Sequence, residues 1–213
     1  MPSTDTVAPD EPLAWFGGRL ATGLAEVTDD VAALDGDGWW AVLLTFEGTA
    51  VCARFTDVRP AALPAAAWPG VPLHSWSSST SRERYLVDVA RVREGIAAGD
   101  HYQVNLCRVL SAPLPADADL LGLAGLLAEG NPAPYAGVLR LPDHGVDVVT
   151  ASPELFLRRS DDHVASGPIK GTAPTAAGLT DKDRAENVMI VDLVRNDFGR
   201  VCVPGTVEVP ARG

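Results

Sequence analysis

The sequence predicts an α+β fold, with mixed or antiparallel sheets and flanking helices. Three observations predict it. Runs rich in β-forming residues come in pairs around short turn signals, at Glu47-Gly48, Pro142–Gly145 and Asp161-Asp162. Three segments with helical periodicity or capping signals lie between or after those pairs. Strands and helices do not alternate one for one, so hairpin pairing is favoured over the crossovers of a doubly wound sheet. The 213 residues, 46% hydrophobic and 21% charged, are enough for a substantial buried core.

Residues 1–12, acidic and Pro-rich, read as a disordered leader. Residues 13–78 read as a small N-terminal β-rich region with its linker. There, WWAVLLTFEG and TAVCARFTDVRP form two strands around Glu47-Gly48, with Trp39 and Trp40 in the core or on a sheet face. The stretch PAALPAAAWPGVPLHSWSSST, Pro-rich and then Ser-rich, is the linker. A helix is expected from Thr80 as N-cap, with Glu83 completing a capping box. Tyr85, Val89, Val92 and Ile96 mark its apolar face, and Gly99 ends it. HYQVNLCRVLSAPL is expected as a strand. ADADLLGLAGLLAEG is a second helix, ended by Gly130. APYAGVLRL and VDVVTAS make strands around PDHG, and PELFLRRS and DHVASGPIKG two more around Asp161-Asp162. A third helix follows Thr180. Its run Val188–Val191 is apolar on several sides, which predicts a well-buried helix.

The formal charge of −11 argues against nucleic acid and anionic lipid as partners. No apolar run approaches the ~18 residues of a membrane span. Cys52, Cys107 and Cys202 are far apart and odd in number, which suits a reducing cytoplasm. His74, His101, His144 and His163 show no metal-ligand spacing.

Two residues stand out chemically. Glu154 follows Ser-Pro and is flanked by Leu155 and Phe156; Lys170 lies in the turn-rich GPIKGTAPT. Desolvation favours the uncharged form of either group, making the acid a proton donor and the amine a nucleophile. Both equally suit solvated surface positions. Gly171 leaves room for a ligand to approach the backbone. Asp192 and Asn196 share a helix face, with Arg195 and Asp197 beside them. These residues either grip a ligand carboxylate or close a helix C-terminus. Gln103 and Asn105, two residues apart on the expected strand, either line a pocket or bond to nearby backbone.

Taken in order, AGDHYQVNL, NPAPY, SPELFLRR, GPIKGT and AENVMIVDLVRNDFGRVCVPGTVEV resemble successive blocks of the chorismate-utilising enzymes. The resemblance covers about residues 80–210. It makes residues 79–213 the N-terminal half of a chorismate-binding catalytic domain, with the fold of the N-terminal part of anthranilate synthase component I. Anthranilate synthases typically carry Ala where this chain has Lys170. Lysine resembles the aminodeoxychorismate synthase component I branch, which makes 4-amino-4-deoxychorismate on the way to p-aminobenzoate and folate. The resemblance implies Lys170 as nucleophile and Glu154 as general acid, with Gly171 and Thr172 binding substrate. It implies ammonia from a glutamine amidotransferase subunit, and a Mg²⁺ ion. No metal ligands are expected in this chain; they should lie beyond residue 213, in the rest of a longer enzyme. Two departures are visible: Ala173 and Thr175 stand where the family usually has arginine. The alternatives are anthranilate synthase component I, which releases pyruvate, and a non-catalytic binding protein.

Overall fold

In this computed structural model, residues 7, 8, 10–171, 173, 175, 178 and 180–210 are described; most of the expected leader and Thr172 lie outside them. Strands β1 (Leu13–Phe16) and β2 (Arg19–Thr28) open the chain. They turn at Gly17 and Gly18, whose φ angles of 57° and 74° are those of a tight hairpin with positive φ at both central positions. β3 (Trp39–Leu44) and β4 (Ala50–Pro60) form the hairpin expected around Glu47-Gly48. A short pair, β5 (Ser77–Ser78) with β6 (Leu110–Ser111), brackets helix α1 (Arg82–Ala98). Helix α2 (Leu120–Gly130) precedes the hairpin of β7 (Tyr135–Leu141) and β8 (Val146–Ser152). β9 (Leu155–Ser160) and β10 (His163–Gly167) pair with each other, and α3 (Asp181–Gly199) follows.

The six-stranded sheet has the order β3-β4-β2-β1-β7-β8, antiparallel throughout. β7 and β8 therefore extend the sheet begun by β1–β4, across the division expected at residues 78/79. Alternation along β1 feeds two cores, as a strand buried on both faces must. Leu13 and Trp15 join Leu20, Leu121, Ala124 and Val138 beneath α2. Ala14 joins Ala41, Phe55, Leu139, Leu141 and Val146 on the opposite face. That second cluster unites β3 and β4 with β7 and β8, so the sheet curls until its two ends share a core. Each fully buried Leu or Val contributes about 1.5–3 kcal/mol.

The linker after β4 lies against the first core. The Trp15 indole N–H donates to the Ala61 carbonyl at 3.0 Å, and Leu63 packs under α2. Gly122 of α2 faces this linker: a Cβ there would stand 2.5 Å from the Ala67 carbonyl carbon. At the start of α2, the Asp119 carboxylate accepts the Leu121 N–H at 2.8 Å and also takes the guanidinium of Arg140, which is 3% exposed. One carboxylate thus caps the helix and ties it to β7.

Several expectations need correcting. Helix α1 is capped by Ser81, not Thr80: the Ser81 hydroxyl accepts the Arg84 N–H at 3.1 Å, and the Thr80 hydroxyl turns to a carbonyl instead. Gly99 does end the helix, in a left-handed conformation. The strand expected over 101–114 shrinks to Leu110–Ser111, because only Ser77–Ser78 offers it a partner and β-propensity acts only against a neighbouring strand. Helix α2 starts at Leu120 because Asp119 caps it. Helix α3 is capped by Thr180 with a capping box to Asp183, but none of its described residues is buried and Val188 is 65% exposed. Its apolar run has no packing layer among the described residues. No helix among them is long and apolar enough to cross a membrane.

Candidate active site

Glu154 sits between β8 and β9, just outside the strand expected to contain it. Pro153 and Ser152 fix its backbone. The Ser152 hydroxyl accepts the Glu154 N–H at 3.2 Å and donates to the Glu154 carbonyl at 3.1 Å. The side chain is half-buried, and its carboxylate has no hydrogen bond or ion pair among the described residues.

The β9–β10 register places Gly167 opposite Leu155. Glu154 immediately precedes Leu155, and Lys170 follows Gly167 by three residues. The two candidates therefore leave the same end of one hairpin. Lys170 is off the strand as well, since β10 ends at Gly167. The residue is half-buried, and its ammonium has no partner among the described residues.

The backbone of Lys170 is held firmly. Its N–H donates to Asn187 Oδ1 at 3.1 Å, and its carbonyl accepts from Asn187 Nδ2 at 2.7 Å. The same Nδ2 donates to the Asp183 carbonyl at 2.8 Å, one turn back in α3. Gly171 then reverses the chain with φ +82°, a region L side chains avoid. The space left by its missing side chain is taken by Asp183, whose Cβ would lie 2.8 Å from an added Cβ. Asp183 in turn closes the capping box, accepting from the Thr180 hydroxyl and N–H at 2.6 and 2.8 Å. These bonds hold the Asp183 carboxyl below the usual carboxylate range.

The remaining candidates make no hydrogen bond or ion pair with Glu154 or Lys170, although Asp192 and Arg195 line one groove with Pro168 and Asn187. Gln103 donates to Asn105 at 2.7 Å, so the two touch each other, in a segment that is not a strand. Arg195 pairs with Asp192 at 3.1 Å on the exposed face of α3. With Asn196 they line an open cavity of about 490 Å³ closed by Val203 and Pro204. Neither Arg195 nor Asp197 caps α3 with its side chain; the Asp197 and Phe198 carbonyls accept from the Arg200 N–H. A larger groove of about 700 Å³ runs between Gly167, Pro168, Asn187, Val191, Phe198 and Val207. Neither Glu154 nor Lys170 lines these two cavities. Among the described residues, no group of three His, Cys, Asp or Glu is gathered to hold a metal ion.

Asn187 was not among the residues singled out from sequence. Its signal was present: asparagine is a poor interior helix residue, and one placed there has usually found a side-chain partner.

A family model described as chorismate binding enzyme matches residues 47–212. The chain belongs to that family. It is 39% identical over 148 residues to aminodeoxychorismate synthase component 1 of Salmonella typhimurium, covering 64% of this chain and 32% of that protein. Aminodeoxychorismate synthase of Streptomyces pristinaespiralis is 41% identical over 161 residues, covering 70% of this chain and 21% of the relative. An anthranilate synthase component 1 of Haloarcula marismortui is 40% identical over 147 residues, 63% of this chain and 29% of the relative. The chain thus spans about a third or less of the length of these family members.

Proposed function

We propose that this chain carries the nucleophile and general acid of an enzyme that aminates chorismate at C4 to give 4-amino-4-deoxychorismate. The observation that carries the reading is Lys170, an amine with a fixed backbone and no charge partner among the described residues, at the hairpin end it shares with a carboxylate in the same condition. The names of the Salmonella and Streptomyces relatives support it.

Hydroxide is a poor leaving group, so the C4 hydroxyl needs a proton donor. In the proposed first step the Lys170 amine forms a bond to C2 of chorismate. The two ring double bonds each shift one place, the C4–O bond breaks, and Glu154 protonates the departing oxygen to water. Ammonia then bonds to C4, the double bonds shift back, and the Lys170–C2 bond breaks to return the amine. The proton lost by the new C4 ammonium restores Glu154. Covalent participation divides one difficult substitution into two easier ones. Ammonia would come from a glutamine amidotransferase subunit, and the reading places the magnesium ligands beyond residue 213.

In the whole protein, mass spectrometry after brief exposure to chorismate without ammonia should find Lys170 carrying chorismate less one water. Lys170→Ala should abolish the adduct. Full activity of Lys170→Ala with ammonia would sink the nucleophile role. The anthranilate reading, favoured by the Haloarcula relative, is separated by product: it releases pyruvate, whereas amination retains the enolpyruvyl group.

A further inference from the structure

We propose that Asn187 is a positioning residue for Lys170, and that its carboxamide fixes the direction in which the amine is presented. The inference rests on the reading of Lys170 as the nucleophile. β10 ends at Gly167, so no strand among the described residues supplies hydrogen bonds to residue 170. The Asn187 carboxamide supplies them. It bonds to both the N–H and the carbonyl of one residue, the pairing a neighbouring strand would give.

The amide orientation follows from the same network. Nδ2 has two hydrogens, and they go to the Lys170 and Asp183 carbonyls at 2.7 and 2.8 Å. Oδ1 accepts the Lys170 N–H at 3.1 Å. A flipped amide would set oxygen against two carbonyl oxygens and nitrogen against an N–H, so only one orientation is satisfied. The residue type is similarly restricted. Aspartate keeps the acceptor but loses both donors, and alanine loses all three bonds.

The flanking residues leave the lysine little other restraint. Pro168 before it is buried, and Gly171 after it turns the chain away against Asp183. Loss of the carboxamide frees the one residue between these fixed points whose direction matters. Misplacing a reacting group by about 1 Å costs on the order of 10²-fold in rate.

The test is the single-turnover rate of Lys170 adduct formation in the whole protein, measured against chorismate concentration. In Asn187→Ala and Asn187→Asp the maximal rate should fall on the order of 10²-fold, with the half-saturating concentration little changed. A helix-packing role alone would not produce that split. Amide hydrogen exchange gives a second readout. The Lys170 N–H should lose protection in Asn187→Ala, while α3 amides beyond residue 187 keep theirs. If Asn187→Ala fails to fold, the near-isosteric Asn187→Asp carries the same rate prediction. An unchanged adduct rate in a folded variant overturns the inference and leaves Lys170 as nucleophile. Absence of any adduct in the unsubstituted protein overturns both.

Discussion

Replacing Asp119 by alanine should cost this fold about 4 kcal/mol, because one carboxylate does two jobs. It caps α2 by accepting the Leu121 N–H at 2.8 Å, and it is the close partner of Arg140, which is 3% exposed. Loss of an N-cap costs about 1 kcal/mol. Removing one partner of a buried ion pair costs about 3–5 kcal/mol, since the other charge stays buried. The low end applies here. Asp119 is 21% exposed, and Asp147 lies 4.0 Å from Arg140 Nε and can take part of the charge. One further nitrogen of Arg140, Nη1, is buried without a hydrogen-bond partner among the described residues. Asp119→Asn separates the two jobs, because asparagine caps as well as aspartate; it should cost about 3 kcal/mol. Asp119→Asn combined with Arg140→Met should recover most of that loss, since an apolar pair needs no compensation. Equilibrium urea unfolding reads all three as midpoint shifts at constant slope. A loss of about 1 kcal/mol or less for Asp119→Ala, no more than a cap is worth, would refute the reasoning. It would mean that Arg140 finds another partner.

Gly122→Ala should destabilise by about 1–3 kcal/mol through overpacking, because the added methyl meets linker backbone rather than a flexible side chain; a urea midpoint equal to wild type would show that the linker yields. Burial pushes the Asp147 carboxyl above the usual range, outweighing the attraction of Arg140. Stability should therefore fall as pH rises from about 3.9 through the raised value. Asp147→Asn should gain stability at neutral pH and lose that advantage in acid; the gain stays under about 1 kcal/mol because the side chain is 45% exposed. A neutral-pH loss would mean that Arg140 dominates. For Asp183 the sign reverses. Its depressed pKa contributes stability that is full above about pH 3.9 and is lost as pH falls through the lower folded value. Carboxyl NMR titration should place its midpoint below an ordinary aspartate, and Thr180→Ala should move it back up.

The elements legible in the sequence were those announced by local chemistry. The β3–β4 hairpin had Glu47-Gly48, β7–β8 had PDHG, and α3 had Thr180. β1 and β2 were missed despite the Gly17-Gly18 turn between them. β1 is only Leu-Ala-Trp-Phe, and Leu13 and Ala14 are buried on opposite faces, so the strand shows no alternation to read. Its pairing with β7 spans more than a hundred residues, and no local pattern encodes that. The opposite error occurred at 101–114, where β-forming residues were present but a partner strand was not. At α1 the signal was right and the register wrong: Thr80 and Ser81 can both cap, and backbone geometry chose Ser81.

Lys170 and Glu154 were singled out because they sit in recognisable blocks, whereas the Asn187 bonds span seventeen residues and are visible only once α3 lies against the loop. The difference shows how this loop is held. The loop from Pro168 to Gly171 is joined to α3 mainly through main-chain groups: the Asn187 carboxamide on Lys170, the glycine against Asp183, and the capping box that sets where α3 begins. Apolar packing contributes little, since no described residue of α3 is buried. Phe156 of the adjoining hairpin is likewise 86% exposed. A site assembled by directional bonds rather than by a packed core tolerates changes on the apolar faces of its own elements. It should be intolerant at the few polar residues that make the bonds. On the proposed reading, Thr180, Asp183 and Asn187 set the backbone from which the Lys170 amine is presented.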